Sequence, residues 1–130
     1  MSHPRTTSQD KDAALMRSVM NGDAETAKEM LDKGANARVK DKNGLTALMW
    51  AAGNGHADIV RALLEAGAEI GEKSDIGKTA LMYAAQSGHT AIVMGLLVAG
   101  ARADVCDENG RTASDLAARN GHADIVQLLK

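Results

Sequence analysis

The hexapeptide GHADIV occurs at Gly55–Val60 and again at Gly121–Val126, and a near copy, GHTAIV, lies midway at Gly88–Val93. The step between copies is 33 residues, and other positions keep it. Gly44, Gly77 and Gly110 share this register, as do Thr46, Thr79 and Thr112. So do the pairs Ala51-Ala52, Ala84-Ala85 and Ala117-Ala118, and the glycines Gly34, Gly67 and Gly100. A period of this length restricts the fold to a stack of equivalent supersecondary units. We read a flexible polar leader at residues 1–7 and a single domain over 8–130, with units at about 8–40, 41–73, 74–106 and 107–130. The second and third units agree at 16 of 33 aligned positions, far above chance, so the positions where they disagree carry information.

In the second unit, Asp41-Lys42-Asn43-Gly44 is a turn signal. Thr46 is placed to N-cap a short helix over Ala47–Gly53. Asn54-Gly55 ends that helix, Gly55 supplying the left-handed backbone of a C-cap. A second helix is predicted over Ala57–Ala66, with Ile59, Val60, Leu63 and Leu64 forming a broad apolar stripe. Asp58, like Glu25 and Asp124 in other units, puts a negative charge in its first turn, where the helix dipole favours it. Helices this short are marginal alone, so a unit hides its stripe only by stacking on its neighbours. The alanine pairs mark where helices must approach closely. The chain has one Trp, one Tyr and no Phe, so its core is aliphatic. That suits helix packing better than a β-sandwich, where aromatic and β-branched residues dominate.

The stretch GLTALMWAAGNGHADIVRALLEAGAEI resembles the ankyrin repeat, whose pattern is G-x-T-P-L-H-x-A-A-x-x-G-H-x-x-I-V-x-L-L-L-x-x-G-A-D. The likeness covers essentially residues 10–130 and recurs in all four units. It implies an all-α solenoid of helix-turn-helix units joined by short, hairpin-like loops. There are departures: the pattern's Pro is Ala47, Ala80 and Ala113 here, and its following His is Met49, Met82 and Asp115. Alanine keeps the helix start but gives up the fixed φ of proline. The end units are more polar, as a solenoid's caps must be. The first has Asp23 in place of His and exposes Lys28, Glu29, Asp32 and Lys33; the last has Ser114-Asp115 in place of Leu-Met.

The repeated His56, His89 and His122 lie on successive units, roughly 10 Å apart. Zinc needs all its ligand nitrogens at about 2 Å, so we read them as turn histidines that hydrogen-bond the loop between the paired helices. His3 falls in the leader, and Cys106 is a lone, incidental thiol. No catalytic motif is present, and we expect no catalytic residue, metal or cofactor. The net charge of −2 supplies no basic field for nucleic acid. The longest apolar run, the 11 residues Ala91–Ala101, is too short to cross a bilayer. The first residues hold no apolar signal core. A cytoplasmic protein is expected.

Function is therefore sought on the surface. The resemblance implies that first helices and turn tips line a concave groove in which a protein partner docks. Candidates are the positions that vary between units in those places. Arg17, Trp50, Tyr83 and Leu116 share one register, and both aromatics of the chain fall there, on adjacent units. Trp, Tyr and Arg are the residues most often found as binding hot spots. Met20, Asn21, Asn54, Gln86, Ser87, Arg119 and Asn120 lie at the ends of first helices. The tips add Lys42, Asn43, Leu45, Asp75, Ile76, Lys78, Glu108, Asn109 and Arg111. The expected function is a non-catalytic adaptor for another protein; the alternative is a regulatory subunit of an enzyme whose chemistry lies in another chain. One further feature stands apart. Arg61 and Glu65 of the second unit become Met94 and Val98 in the third, with Gly95 in mid-helix. This face is a candidate second contact, for a partner or for weak self-association of an otherwise monomeric protein.

Overall fold

The computed structural model describes residues 8–130; the predicted leader, with His3, lies outside the described residues. Among the described residues eight helices follow one another: α1 (Ser8–Asn21), α2 (Ala24–Asp32), α3 (Ala47–Asn54), α4 (Ala57–Glu65), α5 (Ala80–Ser87), α6 (Thr90–Val98), α7 (Ala113–Arg119) and α8 (Ala123–Leu128). No strand occurs among the described residues, only an isolated antiparallel bridge between Lys40 and Thr46. The fold is the expected all-α solenoid of helix-turn-helix units.

The repeated residues explain the helix ends. Thr46, Thr79 and Thr112 each accept the backbone N–H three residues on, at 3.1, 3.3 and 3.2 Å. Asp115 completes a capping box by accepting from the Thr112 backbone N–H at 3.0 Å. These side-chain caps define the starts of α3, α5 and α7. Gly55 and Gly88 close α3 and α5 at φ of 81° and 82°. Asp23 N-caps α2 by accepting from the Thr26 N–H at 3.1 Å, whereas His56, His89 and His122 make no side-chain cap bond.

The first unit departs from the expected order of turn then helix. Here α1 runs through 14 residues, including the positions that form the turn elsewhere. Lys11 stands where later units have the turn glycine, and Ala13 where they have the capping threonine. With neither a turn former nor a cap, the helix continues toward its N-terminus.

Helices α1, α3, α5 and α7 stack as one layer, and α2, α4, α6 and α8 as a looser second layer. Ala51, Ala52, Ala84, Ala85 and Ala117 are all at 0% exposure, because first helices meet at alanine spacing. Ile59 and Leu63 of α4 and Val93 and Leu96 of α6 bury the stripe between the layers. At each tip the first residue's N–H donates to the carbonyl four residues on, Asp41 to Leu45, Ser74 to Lys78 and Asp107 to Arg111, at 2.9 Å each. Adjacent tips are also joined. The Asp75 N–H donates to the Asn43 carbonyl at 3.4 Å, and the Glu108 N–H to that of Ile76 at 3.2 Å.

The histidines are structural, but their partners correct the expectation of a bond within the unit. His89 Nε2 lies 3.2 Å from the Gly53 carbonyl and His122 Nε2 3.1 Å from that of Gln86, in each case in the preceding unit. A carbonyl only accepts, so Nε2 carries the proton in both. Each ring covers the preceding unit's αL glycine: a Cβ on Gly22, Gly55 or Gly88 would fall 2.6, 2.8 or 2.6 Å from Cε1 of His56, His89 or His122. The GH pair therefore joins two units, with glycine leaving room for the next unit's ring.

Candidate functional site

The register that begins at Arg17 runs across the layer of first helices. Arg17 on α1 is exposed, while Trp50 on α3 and Tyr83 on α5 are half-buried. Leu116 on α7 is only 3% exposed. It belongs to the core and is withdrawn from the candidate surface, since its short branched side chain stays against the helix layer where the larger indole and phenol extend past it.

Trp50 and Tyr83 are each held by a residue nine positions upstream. Trp50 Nε1 donates to Asp41 Oδ2 at 3.0 Å, and Tyr83 Oη donates to Ser74 Oγ at 3.0 Å. Asp41 and Ser74 are repeat equivalents that also organise their own tips. Asp41 Oδ1 accepts the N–H groups of Asn43 and Leu45 at 2.9 and 3.0 Å. Ser74 Oγ accepts that of Lys78 at 3.3 Å. One polar side chain thus fixes both a turn and a ring, which lowers the rotamer entropy a ligand must remove on binding. Sequence reasoning assigned Asp41 a turn role alone and did not single out Ser74. The missed signal was a hydrogen-bonding residue at a constant offset before each aromatic.

Between the two rings lies an open, mainly apolar pocket of about 200 Å3, lined by Leu45, Met49, Trp50, Gly53, Asn54, Tyr83 and Ser87. Five of these, Leu45, Trp50, Asn54, Tyr83 and Ser87, are candidates named from the sequence, and α3 and α5 bring them into one place. Beside the pocket, Lys78 Nζ stands 5.7 Å from the centre of the Tyr83 ring and donates to Gln86 Oε1 at 2.7 Å. A cation over the ring face is favourable, and it sets a positive charge at the pocket's edge. Met20 and Asn21, at the end of α1, and Arg119, at the end of α7, are exposed but lie outside this pocket. Asn120 Nδ2 donates to the Gln86 carbonyl at 3.0 Å, tying the fourth unit to the third. Lys42, Asn43, Asp75, Ile76, Glu108 and Asn109 are exposed on the tips, and Arg111 is half-buried there.

Burial works to raise the Asp41 pKa, but hydrogen bonds from Trp50, Leu45 and Asn43, with the Lys42 charge, outweigh it and hold the carboxyl below its ordinary range. Asp107 is likewise lowered, by the Arg111 and Asn109 backbone N–H groups against burial. Since the folded pKa lies below the unfolded one, this stability is complete above the unfolded value of about 3.9 and is lost as pH falls through the folded value. Melting temperature is therefore expected to be level from neutral pH down to about 4 and to decline below it. Asp41→Asn flattens part of that decline and shifts the emission of Trp50, the chain's one indole. Thermal melts read by ellipticity and by Trp50 fluorescence test this; an Asp41→Asn profile parallel to wild type at every pH would refute it.

Among the described residues no group of three or more His, Cys, Asp or Glu could hold a metal ion, and no helix is long and apolar enough to cross a membrane. Cys106 is exposed and unpaired with any other cysteine. A protein-family model described as ankyrin repeats (3 copies) matches residues 2–74 and again residues 68–130. No curated protein matches the chain.

Proposed function

The chain belongs to the ankyrin-repeat family, and from that premise we propose that it is a non-catalytic adaptor docking a protein segment in the groove between α3 and α5. Repeats of this family generally act as protein–protein interaction modules and are typically non-catalytic. The observation that carries the finer reading is the pair Trp50 and Tyr83, tied at their polar ends and framing an open pocket. An apolar side chain of the partner fills that pocket. Lys78 and Gln86 beside it, with the tip residues Lys42, Asn43 and Asp75, supply the polar rim that excludes water and sets register, and the exposed Ile76 adds an apolar contact at the tip. Because the anchors are already ordered by Asp41 and Ser74, little side-chain freedom is lost on docking. We place this adaptor in the cytoplasm, with no nucleic acid among its partners.

Affinity capture from extract of the native host, wild type beside Trp50→Ala/Tyr83→Ala, tests the proposal. The double variant is expected to lose its specific partner, with affinity lowered by about 100-fold or more, because each truncated anchor typically costs about 2 kcal/mol. A partner retained equally by both proteins would place binding elsewhere. A captured enzyme whose activity changes on binding would favour the reading as a regulatory subunit.

A further inference from the structure

On the opposite side of the molecule, α6 presents a face unlike that of its neighbours. Its outward residues Ala91, Met94, Gly95, Val98 and Ala99 are all exposed, Met94 at 50% and Val98 at 90%. The equivalent positions on α4 are Asp58, Arg61, Ala62, Glu65 and Ala66, and α8 carries Asp124 and Gln127 at the first two. Scattered apolar side chains are ordinary on a surface. A helix face with no charge from end to end is not. Gly95 adds a second observation. Glycine within a helix is unfavourable relative to alanine, yet a Cβ here would meet nothing within 4 Å. Internal packing does not require it. What it does provide is a flat stripe on which another backbone can approach closely, with Met94 and Val98 on its flank.

We propose that this face joins two copies of the chain, α6 against α6, antiparallel about a two-fold axis near Gly95. Charge selects the second copy as occupant. Arg61 and Glu65 border the apolar face from α4, about one turn apart, and neither has an ion-pair partner among the described residues. An isologous contact requires a self-complementary surface. The antiparallel arrangement supplies it, setting Arg61 of each copy against Glu65 of the other, twice. The midpoint of Arg61 and Glu65 is level with Leu96, one residue from Gly95, an offset of about 1.5 Å along the helix. One axis therefore serves both the apolar stripe and the two ion pairs. The contact is remote from Trp50 and Tyr83, so each copy keeps its groove open and the assembly presents two.

Sedimentation equilibrium of the full chain, up to about millimolar concentration so as to reach a weak Kd, decides the matter. The mass is expected to rise from 13.6 kDa toward twice that value with concentration. Val98→Glu, at an open position that leaves the fold intact by circular dichroism, raises the dimer Kd at least about tenfold. Arg61→Glu and Glu65→Arg each raise it about three- to tenfold, and the two together return it to near the wild-type value because both pairs re-form with reversed sense. Trp50→Ala/Tyr83→Ala leaves it unchanged. A mass of 13.6 kDa at every concentration, a dimer indifferent to Val98→Glu, or a double charge reversal no better than the single ones would each overturn the proposal.

Discussion

Gly77→Ala is expected to destabilise the chain by about 3 kcal/mol, whereas Gly110→Ala, the same change one unit later, costs only about 1–2 kcal/mol. Both glycines hold a positive φ, 80° and 75°, so both variants carry the strain of an L side chain in left-handed backbone. They differ in surroundings. A Cβ at Gly77 would lie 2.8 Å from the Glu108 backbone nitrogen and 3.3 Å from two atoms of Asp107, while at Gly110 it would meet nothing within 4 Å. Backbone cannot swing aside as a side-chain tip can, so the third and fourth tips must separate and the bond from Glu108 N–H to the Ile76 carbonyl is lost. Urea denaturation of both variants provides the test, provided their m-values agree. Equal losses at the two positions would show that tip-to-tip packing contributes nothing.

The same comparison explains how much could be read from sequence. For the second unit the predicted helices, Ala47–Gly53 and Ala57–Ala66, each end within one residue of the observed α3 and α4. Their ends are set by Thr46, Gly55 and Gly67, whose effects are local and therefore legible. The long α1 was legible too, from the missing threonine and glycine at Ala13 and Lys11, but the regularity of the later units obscured it. The histidine partners were not legible in principle. A contact from each unit to the one before has the same 33-residue period as a contact inside each unit, so periodicity cannot separate them. Leu116 failed for another reason: register specifies direction from the helix axis, while exposure also depends on side-chain length. Of the groove, the sequence named Trp50 and Tyr83 but not Asp41 and Ser74 as their tethers: Asp41 already had a sufficient turn role, and Ser74 interrupts the aspartate that stands at this position in the second and fourth units.

Ala85→Leu is expected to cost about 3 kcal/mol, at the upper end of ordinary overpacking, while Ala118→Leu changes stability by less than about 0.5 kcal/mol. Ala52 and Ala85 are at 0% exposure, but Ala118, their equivalent on α7, is exposed. The three share local sequence and helix position; what Ala118 lacks is a following first helix. Ala85 must therefore face α7, at a separation set by its single methyl group. Leucine there drives α7 outward, because neighbouring helices locked at alanine spacing have no void to receive it. In a solenoid each unit contacts only its neighbours, so the damage falls on one junction. The fourth unit, residues 107–130, loses hydrogen-exchange protection first, while Trp50, two units away, stays packed against Asp41. Ellipticity should consequently begin to fall at lower urea than Trp50 emission changes in Ala85→Leu, whereas the two transitions coincide in Ala118→Leu. Coincident transitions in Ala85→Leu, shifted together to lower urea, would mean that the stack unfolds as one body and that no junction weakens alone. Separate transitions would also show that the Trp50–Tyr83 pocket, built by α3 and α5, does not need the fourth unit to keep its shape.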